Sequence, residues 1–283
     1  TQSIIALLYG PDQPGIVAKV AGWIHERGGN VLHADQHLDR QENVFFQRVE
    51  WEPAQPSDSI EEATLFKEMV SGELAMNVRM ALSGDCPKVA IMVSSAGHCF
   101  HDLILRVRAG EWDAEFAGVL SNHSILEEAS RSYGLPFLHC PISSANKPEV
   151  EEMQLDWIRK QGVELVVLAR YMQILSKEFL EKVGCPVINI HHSFLPSFAG
   201  AKPYHQAYRR GVKLIGATAH YVTSDLDEGP IIEQEVQRVD HAYKPDDLVT
   251  IGRDTETVAL SKAVKFHLQH RVFLNHDKTV IFR

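Results

Sequence analysis

Two polar clusters in this sequence carry side chains that could transfer protons or stabilise a developing negative charge. The first cluster, residues 187–200, reads VINIHHSFLPSFAG. Alternation along a strand places Asn189 and His191 on one face and His192 on the other. Asparagine can donate a hydrogen bond to a carbonyl oxygen that gains negative charge, and histidine can transfer protons near neutral pH. The pattern therefore places Asn189 and His191 side by side at the carboxyl end of a strand, where α/β enzymes have their active sites.

The second cluster, residues 217–230, reads ATAHYVTSDLDEGP and adds carboxylates. Here His220 ends an apolar strand, and Asp225, Asp227 and Glu228 follow in a turn. Taken singly, a histidine at a strand end is typical of a structural residue, and an aspartate in such a turn is typical of a turn former. Together the clusters supply Asn, His and Asp beyond two strands of one sheet. This combination favours acyl-group chemistry on a carbonyl, without identifying the acyl group.

Both clusters lie in a region where strands and helices alternate from residue 89 onward. Apolar strands are predicted at residues 89–93, 115–121, 136–139 and 164–169, with helical segments between them. Regular alternation favours an α/β domain with a mainly parallel sheet that is covered on both faces. In such a domain the ligand site lies at the carboxyl ends of the strands.

The residues before this region follow a different plan. They predict a strand at 3–8, a helix after Pro14, strands at 31–38 and 43–51, a helix at 59–72 and a strand at 76–82. This β-α-β-β-α-β order is the ferredoxin-like plan. The turn-forming segment SGDCPK then interrupts the pattern, and we place the domain boundary there. The predicted domains are residues 1–84 and 85–283.

The composition limits the classes of partner and compartment. The 283 residues are 45% hydrophobic and carry a net charge of −9, from 28 basic and 37 acidic side chains. An acidic balance argues against binding to nucleic acid or to an anionic membrane. No run of about 18 apolar residues is present, which excludes a spanning helix. The four cysteines form no CxxC pair and the first residues carry no basic leader, so we expect a cytoplasmic protein without a secretory signal.

The two polar clusters together resemble the paired signature of folate-dependent formyltransferases, N-I-H-x-S-x-L-P followed by H-x-V-x-x-x-x-D-x-G-P. The resemblance covers about residues 88 to 283 and implies a Rossmann-like formyltransferase domain. It implies that Asn189, His191 and Asp227 are the catalytic Asn, His and Asp. The segment VVLARYMQILS resembles the pterin-contacting strand and loop of that family. The folate-binding residues implied in this way are Arg170, Met172, Ile174 and Leu175.

Several neighbouring side chains keep two interpretations each. His220 either orients Asp227 or the attacking water, or has a purely structural role. Arg170 either binds the folate glutamate or forms an ordinary ion pair. His192, on the opposite strand face, is expected to be structural or supporting. The loop AGAKPYHQAY either closes over the site or meets the folate tail, or it is a solvated surface loop, and its candidate residues are Lys202, Tyr204 and His205.

A metal site is a further hypothesis, because 15 histidines are present. Its candidate ligands are His98, Cys99 and His101, or His191 with His192. Neither set has the i, i+4 helical pairing or the two separated pairs that are typical of zinc sites. We therefore expect no bound metal.

The segment DQPGIVAKVAGWIHERGGNV, residues 12–31, resembles an ACT domain, a regulatory module that commonly binds amino acids. The resemblance implies an effector such as glycine or methionine, bound by Asp12, Gly15, Asn30 and Val31. The alternative is that these residues only build the turn and the helix caps. Because ACT modules usually pair side by side, the resemblance also implies a homodimer or homotetramer.

An ACT module joined to a formyltransferase-like domain resembles the arrangement of the formyltetrahydrofolate deformylase family. Members hydrolyse 10-formyltetrahydrofolate to formate and tetrahydrofolate, which supplies formate and balances one-carbon pools for purine synthesis. The folate is the substrate, and no cofactor is expected. Glycinamide ribonucleotide transformylases carry a G-x-G-S-N loop that cradles a phosphate, whereas this chain has SSAGHCFH at residues 94–101. The alternatives are a formyltransferase to an amine acceptor and a noncatalytic amino-acid or folate sensor.

Overall fold

The structure, a computed structural model, describes residues 2–192 and 203–283. The chain forms two compact units. The first comprises Thr1–Asp85 with Gln269–Asn275 and Thr279–Arg283, and the second comprises Cys86–Leu268 with His276–Lys278. The change of unit after Asp85 lies beside the boundary expected from the sequence. Most of residues 269–283, however, belong to the first unit, whereas the sequence placed them in the second domain.

The first unit is built on a four-stranded antiparallel sheet and two helices in the predicted β-α-β-β-α-β order. Its elements are β1 (Ile4–Pro11), α1 (Ile16–Glu26), β2 (Asn30–Asp39), β3 (Val44–Glu52), α2 (Ser59–Glu73) and β4 (Asn77–Leu82). The strands lie in the order β2-β3-β1-β4. The prediction of a ferredoxin-like plan is confirmed.

Apolar side chains hold the two helices of this unit in place. Ile16, Val20 and Ile24 recur at helical spacing on α1 and are buried. On β3, the Trp51 ring is fully buried and lies 4.8 Å from the Phe66 ring of α2. These residues belong to one hydrophobic cluster that also includes β1. Burial of apolar surface between helices and sheet is therefore the main source of stability for this face.

The second unit alternates strands and helices. Its elements are β5 (Lys88–Val93), α3 (His98–Arg108), β6 (Glu115–Ser121), α4 (Glu127–Ser132), β7 (Phe137–His139), α5 (Lys147–Gln161), β8 (Leu165–Leu168), α6 (Lys177–Lys182), β9 (Val187–His191), α7 (Pro203–Arg210), β10 (Leu214–Tyr221), β11 (Ile231–Arg238) and α8 (Pro245–Leu268). The seven strands lie in the order β11-β10-β9-β8-β5-β6-β7. Strands β7, β6, β5, β8 and β9 are parallel, and β10 is antiparallel to both of its neighbours. The predicted mainly parallel sheet is confirmed.

Helix α8 has 24 residues and was not predicted from the sequence. Its buried face includes Gly252, Thr255 and Glu256 as well as Leu248 and Ala259. Because small and polar residues interrupt the apolar spacing, the helical period is weak in the sequence. Within the described residues, no helix is both long and apolar enough to cross a membrane.

A carboxyl-terminal hairpin covers the second face of the first unit's sheet. It consists of β12 (Val272–Asn275) and β13 (Lys278–Ile281). The buried residues of this face form a separate hydrophobic cluster: Ile5, Leu7, Phe46, Ala81, Phe273 and Phe282. Polar contacts add to it, since buried Arg48 donates from Nε to the carbonyl of His270 at 3.0 Å. The hairpin thus buries the part of this face that β1, β3 and β4 form, whereas the edge strand β2 stays largely exposed.

Replacing Phe273 with alanine tests the importance of this cover. The ring is 4% exposed and lies 5.4 Å from the Phe46 ring and 5.5 Å from the Phe282 ring. Loss of a buried phenylalanine ring is expected to reduce the free energy of unfolding by about 3 to 5 kcal/mol. Urea unfolding followed by tryptophan fluorescence measures the change. Leu274→Ala is the matched control, because the Leu274 side chain on the same strand is 57% exposed. Equal shifts for the two variants would show that the hairpin does not support the sheet.

Candidate active site

The first polar cluster begins on β9, whose neighbours are β8 and β10. The antiparallel register pairs Asn189 with His220 and His191 with Thr218. This register follows from the apolar residues between the polar ones: Ile188 and Ile190 are buried, and so are Ala217 and Ala219. The apolar residues fix the strands in the core and leave the polar side chains at the end of the sheet.

Asp227 lies in the loop after β10 and reaches both histidines of the two strands. Its Oδ2 lies 3.3 Å from Nδ1 of His191, and its Oδ1 lies 3.8 Å from Nε2 of His220. The backbone φ of Asp227 is 56°, in the left-handed region that few residues other than glycine adopt. The hydrogen bond from His191 lowers the pKa of Asp227 and outweighs the opposing effect of partial burial. Asp227 is therefore a carboxylate at neutral pH.

His220 is almost fully buried, and its hydrogen bonds define its proton position. Its Nδ1 lies 2.9 Å from the Tyr221 carbonyl oxygen, which can only accept, so we assign the proton to Nδ1. Burial lowers the pKa of His220, which favours the neutral ring. The unprotonated Nε2 of His220 then lies 3.4 Å from Nδ2 of Asn189, from which it can accept a hydrogen bond. The hydrogen-bonding partner of Nε2 is thus Asn189, because the distance of 3.8 Å from Nε2 to Asp227 is too long for a hydrogen bond.

These residues line a cavity of about 230 Å³ at the carboxyl ends of β8 and β9. The lining includes each catalytic, supporting and folate-binding residue predicted from the sequence: Arg170, Met172, Ile174, Leu175, Asn189, His191, His220 and Asp227. Met172 and Ile174 are 58% and 60% exposed, whereas Leu175 is buried. Exposed apolar side chains beside convergent polar groups are typical of a small-molecule site.

Arg170 forms an ion pair with Glu256, which is one of its two interpretations from the sequence. Its Nε lies 3.5 Å from Oε2 of Glu256, and its NH1 lies 2.8 Å from Nδ1 of His192. Like Asp227, Arg170 has a left-handed backbone, with φ at 66°. The guanidinium is largely buried among protein groups, although Arg170 still contributes to the cavity wall.

Glu256 of α8 is the functional candidate that sequence reasoning missed. It is 1% exposed and accepts hydrogen bonds from Nε2 of His98 at 2.6 Å and from the Tyr204 hydroxyl at 2.8 Å. Burial would raise the pKa of Glu256, but the hydrogen bond from His98 and the charge of Arg170 lower it overall. A buried charge must be paired. A glutamate among the small residues of a long helix is the signal that could have identified it.

The loop interpretation of Tyr204 and His205 is corrected by the structure. Both residues lie on α7, and Tyr204 is 9% exposed rather than solvated. Gly252 makes room for this ring, because a Cβ there would lie 2.1 Å from a Tyr204 ring atom. Lys202, the third candidate of that loop, lies outside the described residues.

The expected opposite-face position of His192 is also wrong. The His191 and His192 rings stack with centroids 4.9 Å apart and an interplanar angle of 17°. Strand β9 ends at His191, so alternation no longer governs the next residue. His192 therefore lies beside the predicted catalytic histidine.

Among the described residues, one group of three side chains has metal-ligand spacing: His98, Cys99 and Glu256, whose ligand atoms lie within 4.8 Å of one another. Burial raises the pKa of the Cys99 thiol, so the thiolate that a metal needs is disfavoured. Arg170 already supplies a positive charge to Glu256. His101, the other candidate, pairs through Nδ1 with the Tyr133 hydroxyl at 3.0 Å. His98, His101 and Glu256 therefore already have partners within the described protein.

The residues proposed for an effector lie in the first unit. Gly15 precedes α1 with φ at 90°, which requires a residue without a side chain. The backbone N–H of Asp12 donates to the Asn43 carbonyl at 3.2 Å, while the Asp12 side chain is exposed. Asn30 and Val31 begin the edge strand β2 and are exposed. Of the four, Gly15 lies in the turn and at the cap of α1, and the side chains of Asp12, Asn30 and Val31 are accessible to a ligand.

Residues 87–264 match the family described as Formyl transferase. The formyltetrahydrofolate deformylase of Synechocystis sp. is 46% identical over 274 residues, which cover 96% of this chain and 95% of that protein. The crystal structure of formyltetrahydrofolate deformylase from Burkholderia mallei is 43% identical, has a TM-score of 0.91 and covers 100% of both chains. Glycinamide ribonucleotide transformylase 1 from Symbiobacterium toebii is 26% identical with a TM-score of 0.66, and covers 71% of this chain and 97% of that one.

The two kinds of relative differ in how much of the chain they share. The transformylase leaves more than a quarter of this chain unmatched, whereas the deformylases match nearly all of it. The matching family region lies within the unit that carries Asn189, His191 and Asp227. On identity, coverage and fold, the chain belongs to the formyltetrahydrofolate deformylase family.

Proposed function

We propose that this protein hydrolyses 10-formyltetrahydrofolate to formate and tetrahydrofolate. The observation that carries the proposal is the contact of the Asp227 carboxylate with His191 at a cavity that Asn189 also lines. A general base, a proton-bearing imidazole and an amide donor are the groups that hydrolysis of a formamide needs. The deformylase names of relatives that match nearly the whole chain support the same reaction.

In the proposed reaction, water attacks the formyl carbon and Asp227 accepts a proton from that water. The new C–O bond turns the carbonyl oxygen into an oxyanion, which accepts hydrogen bonds from the Asn189 amide and from protonated His191. One such donor contributes about 3 to 4 kcal/mol of transition-state stabilisation. As the oxyanion returns to a carbonyl, the C–N bond breaks and the folate nitrogen takes up one proton, which balances the proton that Asp227 accepted. The other product, formic acid, loses its acidic proton to solvent and leaves as formate. No cofactor or metal takes part in these steps.

His220 is proposed to orient Asn189. Neutral His220 accepts one amide hydrogen of Asn189 at Nε2, and this leaves the other hydrogen for the oxyanion. The hydrogen bond to the Tyr221 carbonyl fixes the ring in the required tautomer. Met172, Ile174 and Leu175 are proposed to contact the flat pterin ring, because they belong to the apolar part of the cavity wall. We propose that Arg170, given its internal contacts, has a role other than binding the folate glutamate.

Formate release from 10-formyltetrahydrofolate, with water as the only acceptor, tests the proposed function. We expect turnover under these conditions and no increase when a phosphorylated amine such as glycinamide ribonucleotide is added. Formyl transfer that depends on the amine would instead establish a transferase. Folate binding without turnover would establish a sensor and contradict hydrolysis. Retained activity after chelator treatment is the expected result for a reaction without metal.

We further propose that the first unit is an ACT-like regulatory domain for an amino acid such as glycine or methionine, bound near Asp12, Gly15, Asn30 and Val31. The ferredoxin-like strand order supports this, as does the exposure of Asn30 and Val31 on an edge strand. Side-by-side pairing of such domains gives a homodimer or homotetramer. A cytoplasmic location is supported by the four cysteines, which are all free thiols in the described residues.

A further inference from the structure

We propose that Arg170 is a positioning residue that holds His192 neutral, with its proton on Nε2, against the ring of His191, and that Glu256 holds Arg170 in place. The inference rests on the proposed function, because His191 is the group on which the arrangement acts. It gives a role to Arg170, His192 and Glu256, which the reaction steps themselves leave unused.

A hydrogen bond from Arg170 fixes the protonation of His192. NH1 of Arg170 lies 2.8 Å from Nδ1 of His192. A guanidinium can only donate, so Nδ1 of His192 must accept and cannot carry a proton. The neutral ring that meets this condition has its hydrogen on Nε2. Arg170 therefore selects both the charge state and the tautomer of His192.

Glu256 is the ion-pair partner of Arg170, and a buried guanidinium needs such a fixed partner. Oε2 of Glu256 lies 3.5 Å from Nε of Arg170, and the carboxylate is itself held by His98 and Tyr204. Helices α3 and α7, which are far from α8 in the sequence, thus each contribute a contact to the Glu256 carboxylate on α8.

The imidazole rings of His191 and His192 are stacked, so the charge on one affects the charge on the other. With ring centroids 4.9 Å apart, a charge on His192 would lie directly against a charge on His191. The proposed stabilisation of the oxyanion uses a protonated His191, which a neutral neighbour permits and a cationic neighbour disfavours. A neutral ring can also stack on a cationic one favourably. The arrangement therefore protects the charge on His191.

The charges around His192 come from several elements of the described part of the chain. Arg170 and His191 face it from the ends of β8 and β9 and favour the neutral ring, while Glu256 and Asp227 face it from α8 and the loop after β10 and favour the charged ring. Tyr204 of α7 lies beside it, with ring centroids 6.4 Å apart. Burial, followed by Arg170, lowers the pKa of His192 to about 4. Without Arg170, burial and His191 would still favour the neutral ring, but less strongly against the two carboxylates.

Nuclear magnetic resonance of ¹³C,¹⁵N-histidine-labelled protein tests the proposal without relying on turnover. The His192 signals are assigned by their loss in His192→Gln. In the native protein we expect an unprotonated Nδ1, a protonated Nε2 and no titration of His192 between pH 8 and pH 5. A protonated Nδ1, or a titration within that range, overturns the proposal and needs no measurement on an Arg170 variant.

The variant Arg170→Gln completes the test. We expect the titration midpoint of His192 to rise by at least about one pH unit. Arg159→Gln is the control, since Arg159 pairs with Asp156 on the exposed surface of α5, and His192 should not titrate there. An unchanged midpoint in Arg170→Gln contradicts the role of the guanidinium.

Formate release provides the functional readout. Arg170→Gln should show a new ionisation in the pH profile of kcat/KM, at the midpoint found for His192, and the double variant Arg170→Gln with His192→Gln should lack it. A loss of activity without the new ionisation indicates a structural role only and overturns the proposal. If the native protein releases no formate, the proposed function fails, whereas the resonance titration still decides the state of His192.

Discussion

Replacing Asp227 with asparagine is expected to lower kcat for formate release by about 10³-fold or more, because the water loses its general base and His191 loses its anionic partner. Asparagine is the informative substitution. It preserves the size of the side chain, and it tolerates the left-handed backbone, with φ at 56°, that residue 227 adopts. Folate affinity should therefore remain close to that of the native protein. A formate assay and a separate folate-binding titration measure the two quantities.

Asp225→Asn is the matched control for this variant. Asp225 lies two residues earlier in the same loop, is exposed, and contributes no side chain to the cavity. It should retain native kcat. Turnover of Asp227→Asn near the native rate would remove Asp227 from the mechanism, and equal losses in both variants would attribute the effect to the loop rather than to the carboxylate.

Replacing Gly229 with alanine is expected to lower kcat/KM by about 10²-fold, although Gly229 has no functional group. A Cβ at this position would lie 1.7 Å from the Tyr221 carbonyl oxygen and 3.3 Å from Nδ1 of His220. The Tyr221 oxygen belongs to the backbone, and the N–H of Tyr221 donates a hydrogen bond to the Pro230 carbonyl at 3.0 Å. The backbone at Tyr221 therefore cannot move away without breaking this hydrogen bond. The loop must move, and displacement of catalytic groups by about 1 Å costs roughly 10²-fold. Steady-state kinetics measure the loss.

The same substitution should also lower the free energy of unfolding by about 1 to 3 kcal/mol, as overpacking does elsewhere. Gly72→Ala is the control, because a Cβ on that helical residue meets nothing within 4 Å. It should leave activity unchanged and slightly stabilise α2. Native activity in Gly229→Ala would show that the loop can relax without moving Asp227 or His220.

The parts of this site that sequence reasoning predicted are local in the chain. Asn189 and His191 follow from alternation within one strand, and Asp227 follows from a motif of eleven residues that begins at His220. Their convergence needs only that β9 and β10 be neighbours. Local patterns and short motifs carry this kind of information because strand period and turn chemistry act over a few residues.

The parts that the sequence did not predict depend on where local rules end or on distant contacts. Alternation misplaced His192 because β9 ends one residue before it. The partners of Glu256 lie on α3, α7 and the loop after β8, and no local pattern brings them together. The carboxyl-terminal hairpin was assigned to the wrong unit for the same reason, since its apolar residues identify a buried strand but not which sheet it covers. Tertiary packing decides such cases.

The hairpin of β12 and β13 also has a consequence for how the protein is made. The first unit's sheet is synthesised early, but Phe273 and Phe282, which cover one of its faces, follow the whole second unit. At ordinary translation rates, the ribosome needs about ten to forty seconds for the residues in between. During that time Ile5, Leu7 and Phe46 have no cover from their own chain. The amino-terminal unit is therefore the last to be completed.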